Sequence, residues 1–311
     1  MTLSGHSRPN ELVRWTSEPE IFGMLVAHRL ARQEGGMART SDEQATFDRF
    51  SKKYEHVQSD VMRGIERSVF GCDYGATSWT TLDEAREVGR MLALKPGKRL
   101  LDVGSGSGWP GVYLAKETGC DIVMTDLPLT GLRIAIERAA TDRVAGACWA
   151  TVANGAALPF QSGWFDAILH SDVLCCLPEK LVVLESCRRT IRADGKMVFS
   201  VILIKPGLTA ADYERAAASG PPFIETEIPY PEMLRQAGWE ITDHRDLTVK
   251  YRVAVGRMLE KLETYAEEIA NLFGDDDAAD ERARRRATLE ALEQGLLRRE
   301  LFGVVPSAGE N

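Results

Sequence analysis

The chain has 311 residues, 44% of them hydrophobic and 27% charged, with a formal net charge of −8 at pH 7. This is an ordinary globular composition, long enough for one large domain or two modest ones, and its acidic balance argues against a surface that tracks nucleic-acid phosphates. The apolar runs are too short to span a bilayer, and the opening stretch MTLSGHSRPNELVRW has no apolar signal-type core.

The six cysteines, at positions 72, 120, 148, 175, 176 and 187, follow no C-x-x-C or framework spacing. That predicts buried free thiols in a reducing, cytoplasmic setting.

From about residue 18 to 94, apolar residues recur three or four apart: Ile21, Leu25, Phe47, Phe50, Tyr54, Val57, Val61. The pattern predicts helices, interrupted by FGCDYGATSWTT at 70–81, which is rich in turn formers and aromatics. Thr81, with Glu84 three residues later, has the pattern of a capping box opening a helix that Lys95-Pro96-Gly97 stops.

Strands are then expected at 99–103, 121–125, 147–152, 165–170 and 196–204, with helices at 111–118, 129–140 and 179–191 between them. Such alternation implies an α/β fold with a parallel sheet covered on both faces. A further strand is expected at 240–247 and an amphipathic helix at 253–273. After these come a turn through GDDDAAD at 274–280, a helix at 279–294 and a closing strand at 298–305. Residues 1–94 are thus expected as a helical cap and substrate region, and 95–311 as a cofactor-binding domain with a helical insertion at about 250–295.

The chemistry concentrates in RLLDVGSGSGWPGVYLA, 99–115, where an apolar strand breaks into glycines before a helix. Gly104, Gly106 and Gly108 read as D-x-G-x-G-x-G, whereas Gly106, Gly108 and Gly111 fit the dinucleotide spacing G-x-G-x-x-G. Asp126 closes the next strand and suits two ribose hydroxyls of either cofactor type. Asp102, placed at the strand end and facing the loop, would repel a pyrophosphate and favour a cationic sulfonium.

The blocks that follow are ANGAALPF (153–160), GWFDAILHSDVLCCLP (163–178) and RRTIRADGKMVFS (188–200). With the glycine loop they resemble the class I S-adenosyl-L-methionine-dependent methyltransferases, in the small-molecule branch that includes the ubiquinone/menaquinone-type C-methyltransferases. The resemblance covers about residues 75–205. It implies a Rossmann-like, doubly wound seven-stranded sheet, mostly parallel with the last strand antiparallel.

It also implies a binding set. Asp102, Gly104, Ser105 and Gly106 would surround the methionine end of the cofactor, with Asp126 on the ribose. Leu127 would pack against adenine, with Asn154 and Gly155 at the adenine edge. Tyr74 and Trp79 would fold over the sulfonium, where an aromatic face gains cation–π energy. The competing assignments are ordinary core for Leu127 and a hydrophobic plug for Tyr74 and Trp79. Two positions depart from the family pattern: Asn154 replaces its usual Asp, and Ala193-Asp194-Gly195 replaces Pro-Gly-Gly, with Gly195 expected to supply the special backbone angle.

His170, Ser171 and Asp172 follow the fourth strand, where acceptor and methyl would meet. His170 has the intrinsic pKa of a base or is a strand-end histidine bonded to backbone; Asp172 caps the next segment or polarises an acceptor; Tyr74 is a third catalytic candidate. Strand five ends Leu203-Ile204-Lys205-Pro206 without a carboxylate or amide to complete an oxygen-ligand set, so no metal is expected. Asp275-Asp276-Asp277 is expected as a solvated turn and Arg284-Arg285-Arg286 as a wet helix face.

Met258, Leu262, Tyr265, Ile269 and Phe273 form a stripe that walls an acceptor pocket, packs on the body or buries itself in a homodimer. The expected activity is methyl transfer to a small, largely apolar or aromatic acceptor. Two alternatives stand beside it: a nicotinamide-dependent oxidoreductase using Gly106, Gly108 and Gly111, and a non-catalytic S-adenosylmethionine-binding module. No residue tells whether carbon, oxygen, nitrogen or sulfur is methylated.

Overall fold

The computed structural model describes residues 13–14 and 40–308. The expected helical positions Ile21 and Leu25 lie outside them. Three helices precede the main sheet: α1 (Ser41–His56), α2 (Asp60–Phe70) and α3 (Leu82–Met91). α3 opens on the Thr81–Glu84 capping box, with both reciprocal hydrogen bonds made. It ends three residues before the expected Leu94.

The sheet comprises β1 (Val13–Arg14), β2 (Arg99–Val103), β3 (Asp121–Asp126), β4 (Cys148–Val152), β5 (Phe165–Ser171), β6 (Ile191–Ile204), β7 (Trp239–Asp246) and β8 (Leu297–Pro306). Helices α4 (Gly111–Thr118), α5 (Leu129–Thr141) and α6 (Lys180–Thr190) follow β2, β3 and β5. Strand order is β1-β4-β3-β2-β5-β6-β8-β7. Strands β2 to β6 pair in parallel, and β8 runs antiparallel to both β6 and β7. The seven expected strands are therefore β2 to β8, in the Rossmann-like order, and β1 adds a two-residue antiparallel edge beside β4.

The order reverses on either side of β2, so the carboxyl ends of β2, β3 and β5 open a crevice where such sheets bind ligands.

Four differences from expectation have local causes. β6 begins at Ile191, because the pairing jumps from Phe165↔Ile191 to Ala167↔Lys196 and residues 192–195 bulge out within the strand. Gly195 there has no left-handed angle. It is required for space, since a Cβ would lie 2.5 Å from Ile191 Cγ1 and 3.0 Å from the Asp166 carbonyl oxygen.

The helix expected at 253–273 is two, α9 (Thr248–Thr264) and α10 (Ala266–Phe273), parted at Tyr265. The expected GDDDAAD turn is instead the start of α11 (Asp275–Glu293): Asp275, Asp276 and Asp277 form its first turn, where carboxylates are favoured by the helix dipole. Two further helices lie between β6 and β7, numbered by position as α7 (Ala210–Ser219) and α8 (Tyr230–Gln236). Ala216 is the only buried residue of α7, so no apolar stripe announces it.

One apolar core runs from α2 to β8. Through it passes a cross-strand row in which His170, Phe199, Phe302 and His244 are successive register partners on β5, β6, β8 and β7. Their rings stack at 4.5, 5.2 and 4.3 Å. All six cysteines are free, and only Cys176 is not fully buried. Among the described residues, no helix is long and apolar enough to cross a membrane.

Candidate functional site

A cavity of about 660 Å³ opens at the carboxyl ends of β2 to β5. Its floor carries Gly104, Asp126, Leu127, Asn154 and Asp172, and its far side is closed by α1, α9, α10 and α11. The glycine loop leaves β2 with Gly104 at φ +66° and Gly106 at φ +51°, left-handed angles that favour glycine. Space agrees with angle: a Cβ on Gly104 would reach Val173 at 2.6 Å, and one on Gly106 would reach the Tyr54 ring at 2.9 Å.

Asp126 is the best-held group on this floor. Its Oδ1 accepts from the Leu127 amide at 2.7 Å, and its Oδ2 accepts from the Gly106 amide at 2.7 Å and the Tyr54 hydroxyl at 3.0 Å. Burial still outweighs these bonds and pushes its carboxyl up to about 6. Asn154 uses Oδ1 to cap the short 3₁₀ turn Gly155–Ala157 through the Ala156 amide at 2.9 Å. Asn154 belongs to the cavity wall, and Oδ1–Ala156 is its side-chain hydrogen bond among the described residues. Leu127 lies beside it, whereas Gly155 is buried behind Ala156.

Asp102 is placed differently from expectation. Its carboxyl is buried beneath the loop, outside the cavity lining, and Oδ2 has no hydrogen-bond partner among the described residues. Burial, with Asp126 nearby, raises its pKa well above the usual carboxylate range. An acid sealed beneath the loop does not face a ligand's pyrophosphate or sulfonium, so the electrostatic distinction drawn from it does not hold. Its neighbour explains a glycine instead: a Cβ on Gly111 would fall 2.1 Å from Asp102 Oδ2. Gly111 thus serves close helix–strand packing. Ser105 is likewise buried off the cavity, its amide bonded to the Thr125 carbonyl at 2.9 Å.

Of Tyr74 and Trp79, the two aromatics expected over the sulfonium, Trp79 reaches the cavity and Tyr74 does not. The Tyr74 hydroxyl donates to Asp142 at 2.5 Å and its ring lies under the Arg138 guanidinium at 4.0 Å. Trp79 meets a cation of the protein's own, Arg285, at 4.9 Å.

Neither base candidate at the end of β5 is free. His170 is fully buried behind the lining, both ring nitrogens lack partners among the described residues, and burial lowers its pKa to about 3. It stays neutral and out of reach of an acceptor.

Asp172 does line the cavity, but both oxygens are engaged: Oδ2 by the Trp79 amide at 2.8 Å, and Oδ1 by Ser200 Oγ and Arg299 Nε, each at 2.9 Å. Arg299 is 1% exposed and also donates to Glu84 at 3.0 Å and to Thr80 and Ser200 at 3.1 Å. This buried network ties β8, β6 and α3 to the segment that carries Trp79.

The insertion contributes Leu262, Ile269 and Phe273 to the cavity; Met258 packs against the core and Tyr265 is exposed at the helix break. Arg284 and Arg285 also line it, so the expected wet helix face is in part an inner wall. Arg286 alone of the three turns outward, to Glu263. Sequence reasoning also missed Tyr54, Arg49 and Lys53, which α1 brings over the floor. Among the described residues, no cluster of three or more His, Cys, Asp or Glu side chains has the arrangement to hold a metal ion.

Residues 101–199 match the family model described as a methyltransferase domain. The chain is 27% identical over 243 residues to phosphoethanolamine N-methyltransferase 3 of Arabidopsis thaliana, covering 78% of this chain and 48% of that one. It is also 27% identical over 199 residues to 27-O-demethylrifamycin SV methyltransferase of Amycolatopsis mediterranei, covering 60% and 72%. The chain spans about half the length of the plant relatives it matches.

Among solved structures, phosphoethanolamine N-methyltransferase 2 of Haemonchus contortus in complex with S-adenosyl-L-methionine aligns with TM-score 0.67 at 17% identity, over 83% of this chain and 60% of that one. The [4+2]-cyclase SpnF aligns with TM-score 0.65 at 20% identity, over 83% and 95%. Residues 101–199 are thus similar to a methyltransferase domain, and the fold is shared with the methyltransferase and the cyclase just described. The cyclase shows that this fold alone does not decide the reaction.

Proposed function

We propose that the protein binds S-adenosylmethionine along the β2–β4 edge of the cavity and transfers its methyl group to a small-molecule acceptor held under α1, α10 and α11. The observation that carries this reading is the Gly104–Asp126–Leu127–Asn154 floor, with Gly106 behind it bonding Asp126, opening into a cavity of about 660 Å³, a size suited to a cofactor end and a small acceptor. Bound there, the cofactor supplies an electrophilic methyl on a sulfonium. Asp126 Oδ1 keeps a lone pair for a ribose hydroxyl, and the Asn154 NH₂ is a donor for an adenine ring nitrogen.

Asp102, Ser105 and Gly155 support this floor from beneath, and Tyr74 braces the segment that presents Trp79. With His170 sealed and Asp172 engaged, the chain offers positioning and exclusion of water in place of a dedicated base. That suits in-line displacement by an acceptor already nucleophilic at neutral pH.

Incubation of the full chain with methyl-labelled S-adenosylmethionine and a panel of amine, thiol, phenol and enol acceptors tests the reading. Label should move to at least one acceptor and S-adenosylhomocysteine should accumulate with it. Tight cofactor binding with no transfer across the panel contradicts the enzymatic reading and supports a binding module.

A further inference from the structure

We infer that the acceptor carries an anionic group, phosphate or carboxylate, on an apolar body, and that Arg49, Lys53, Arg284 and Arg285 hold that group. The inference rests on the methyltransferase reading and adds the substrate class.

The wall formed by α1 and α11 brings these four cations together around one carboxylate. Lys53, Arg284 and Arg285 all reach Glu281, at 3.4, 2.9 and 2.5 Å. Arg49 has no ion pair among the described residues; its guanidinium lies over the Phe50 ring at 5.2 Å. Arg285 Nε is sealed from solvent with no acceptor among the described residues. Among the described residues, Glu281 thus pairs with three of the four cations, and Arg49 pairs with no carboxylate.

Two other acids on the lining have cations of their own, Asp172 in Arg299 and Asp277 in Lys52, while Asp126 and Glu43 are held by backbone amides of the glycine loop and the α1 cap, away from this cluster. Glu179 and Asp280 are exposed at the rim. Burial above all, with smaller contributions from Arg285, Arg49 and Arg284, depresses the Lys53 ammonium to about 8 despite Glu281.

Arg49 and Arg284 stand exposed at the mouth, whereas Lys53 and Arg285 are held inside a partly apolar cavity, where a cation is costly unless an anion completes it; arginine forks match carboxylate and phosphate oxygens. Phe47, Phe50, Leu262, Ile269 and Phe273 supply the apolar remainder of the same wall. Trp79 sets the direction, because it contacts Arg285 on one side and its own amide bonds Asp172 beside the glycine loop. An acceptor anchored by its anion at Arg285 therefore extends past Trp79 toward Gly104.

The test is calorimetric titration of the full chain, with and without S-adenosylhomocysteine, by phenyl phosphate, phenylacetate and neutral 2-phenylethanol. Anions should bind at least roughly tenfold tighter than the alcohol, and the phosphate-to-carboxylate ratio tells which source the site prefers. Arg49→Gln and Arg285→Gln should each lose roughly tenfold in anion affinity while S-adenosylhomocysteine affinity stays within about twofold. Glu281→Gln removes the competing carboxylate and should tighten the anion, an outcome that misfolding cannot mimic.

Equal binding of anion and alcohol, or an anion affinity unmoved by Arg49→Gln, overturns the inference. Failure of S-adenosylhomocysteine to bind overturns the methyltransferase reading instead, and the titrations without it still decide the anion site.

Discussion

The Tyr54 hydroxyl and the Gly106 amide share one oxygen of Asp126, at 3.0 and 2.7 Å, so α1 is latched directly onto the acid that closes β3. Both lone pairs of that oxygen are used, and only Oδ1 retains one for a ribose hydroxyl. Tyr54→Phe frees the second oxygen and should tighten S-adenosylhomocysteine roughly threefold to tenfold in calorimetry. Weaker binding would show that the phenol belongs to the cofactor site and does not compete with it.

Cofactor affinity should also depend on pH. The Asp126 carboxyl is pushed up to about 6, and only its ionised form offers every lone pair to ribose hydroxyls. Affinity should be full above pH 7 and fall as pH drops through about 6. In Asp126→Asn that inflection should vanish, along with roughly tenfold or more of the affinity. A flat profile in the parent protein contradicts the assigned role.

Arg299 is a stability determinant. Arg299→Met leaves Asp172 and Glu84 buried without their counter-charge, which costs about 3–5 kcal/mol. Urea denaturation reads this as a lowered midpoint, with Arg299→Lys intermediate. A loss below about 1 kcal/mol would mean that water reaches the pair, as it does for exposed ones.

His170 makes the fold acid-sensitive. Its folded pKa is about 3, well below the ordinary 6.5, so between those values the unfolded chain binds the proton and the folded chain does not. Stability is therefore lost as pH falls through 6.5 toward 3, by about 2 kcal/mol between pH 7 and pH 5 from this group alone. His170→Phe keeps the stack on Phe199 and should flatten that part of the thermal-midpoint profile. An unchanged acid slope would assign the sensitivity to other groups.

Gly111 tests the reinterpreted glycine spacing. An added Cβ would overlap Asp102 Oδ2, so Gly111→Ala should destabilise by about 1–3 kcal/mol through a shift of α4 against β2. Far-ultraviolet melting curves give the number. A neutral substitution would remove the packing explanation.

The α/β alternation was readable because strands 99–103 and 121–126 are short apolar runs bounded by turn formers and the helices between them are amphipathic. The α3 cap was readable because it depends on two residues three apart. Other features were beyond local sequence. α7 buries a single alanine, and Tyr265 parts α9 from α10 without a proline or glycine.

Asp126, Leu127, Asn154 and Trp79 reach the cavity lining, whereas Tyr74, Asp102 and His170 point into packing. A side chain's facing at a strand end is set by partners distant in sequence: Arg299 for Asp172, Phe199 for His170, Asp142 for Tyr74. The cation wall was hidden for the same reason. Arg49 and Arg285 are 236 positions apart, and each alone has the pattern of a solvated helix face.

The central claim is that the glycine floor serves an S-adenosylmethionine-type ligand, and paired calorimetric titrations of the full chain with S-adenosylhomocysteine and with NADH test it most directly. S-adenosylhomocysteine should bind with one-to-one stoichiometry and lose that binding in Asp126→Ala, while NADH should give no saturable heat. Saturable NADH binding that needs Asp126, with none for S-adenosylhomocysteine, would contradict the account.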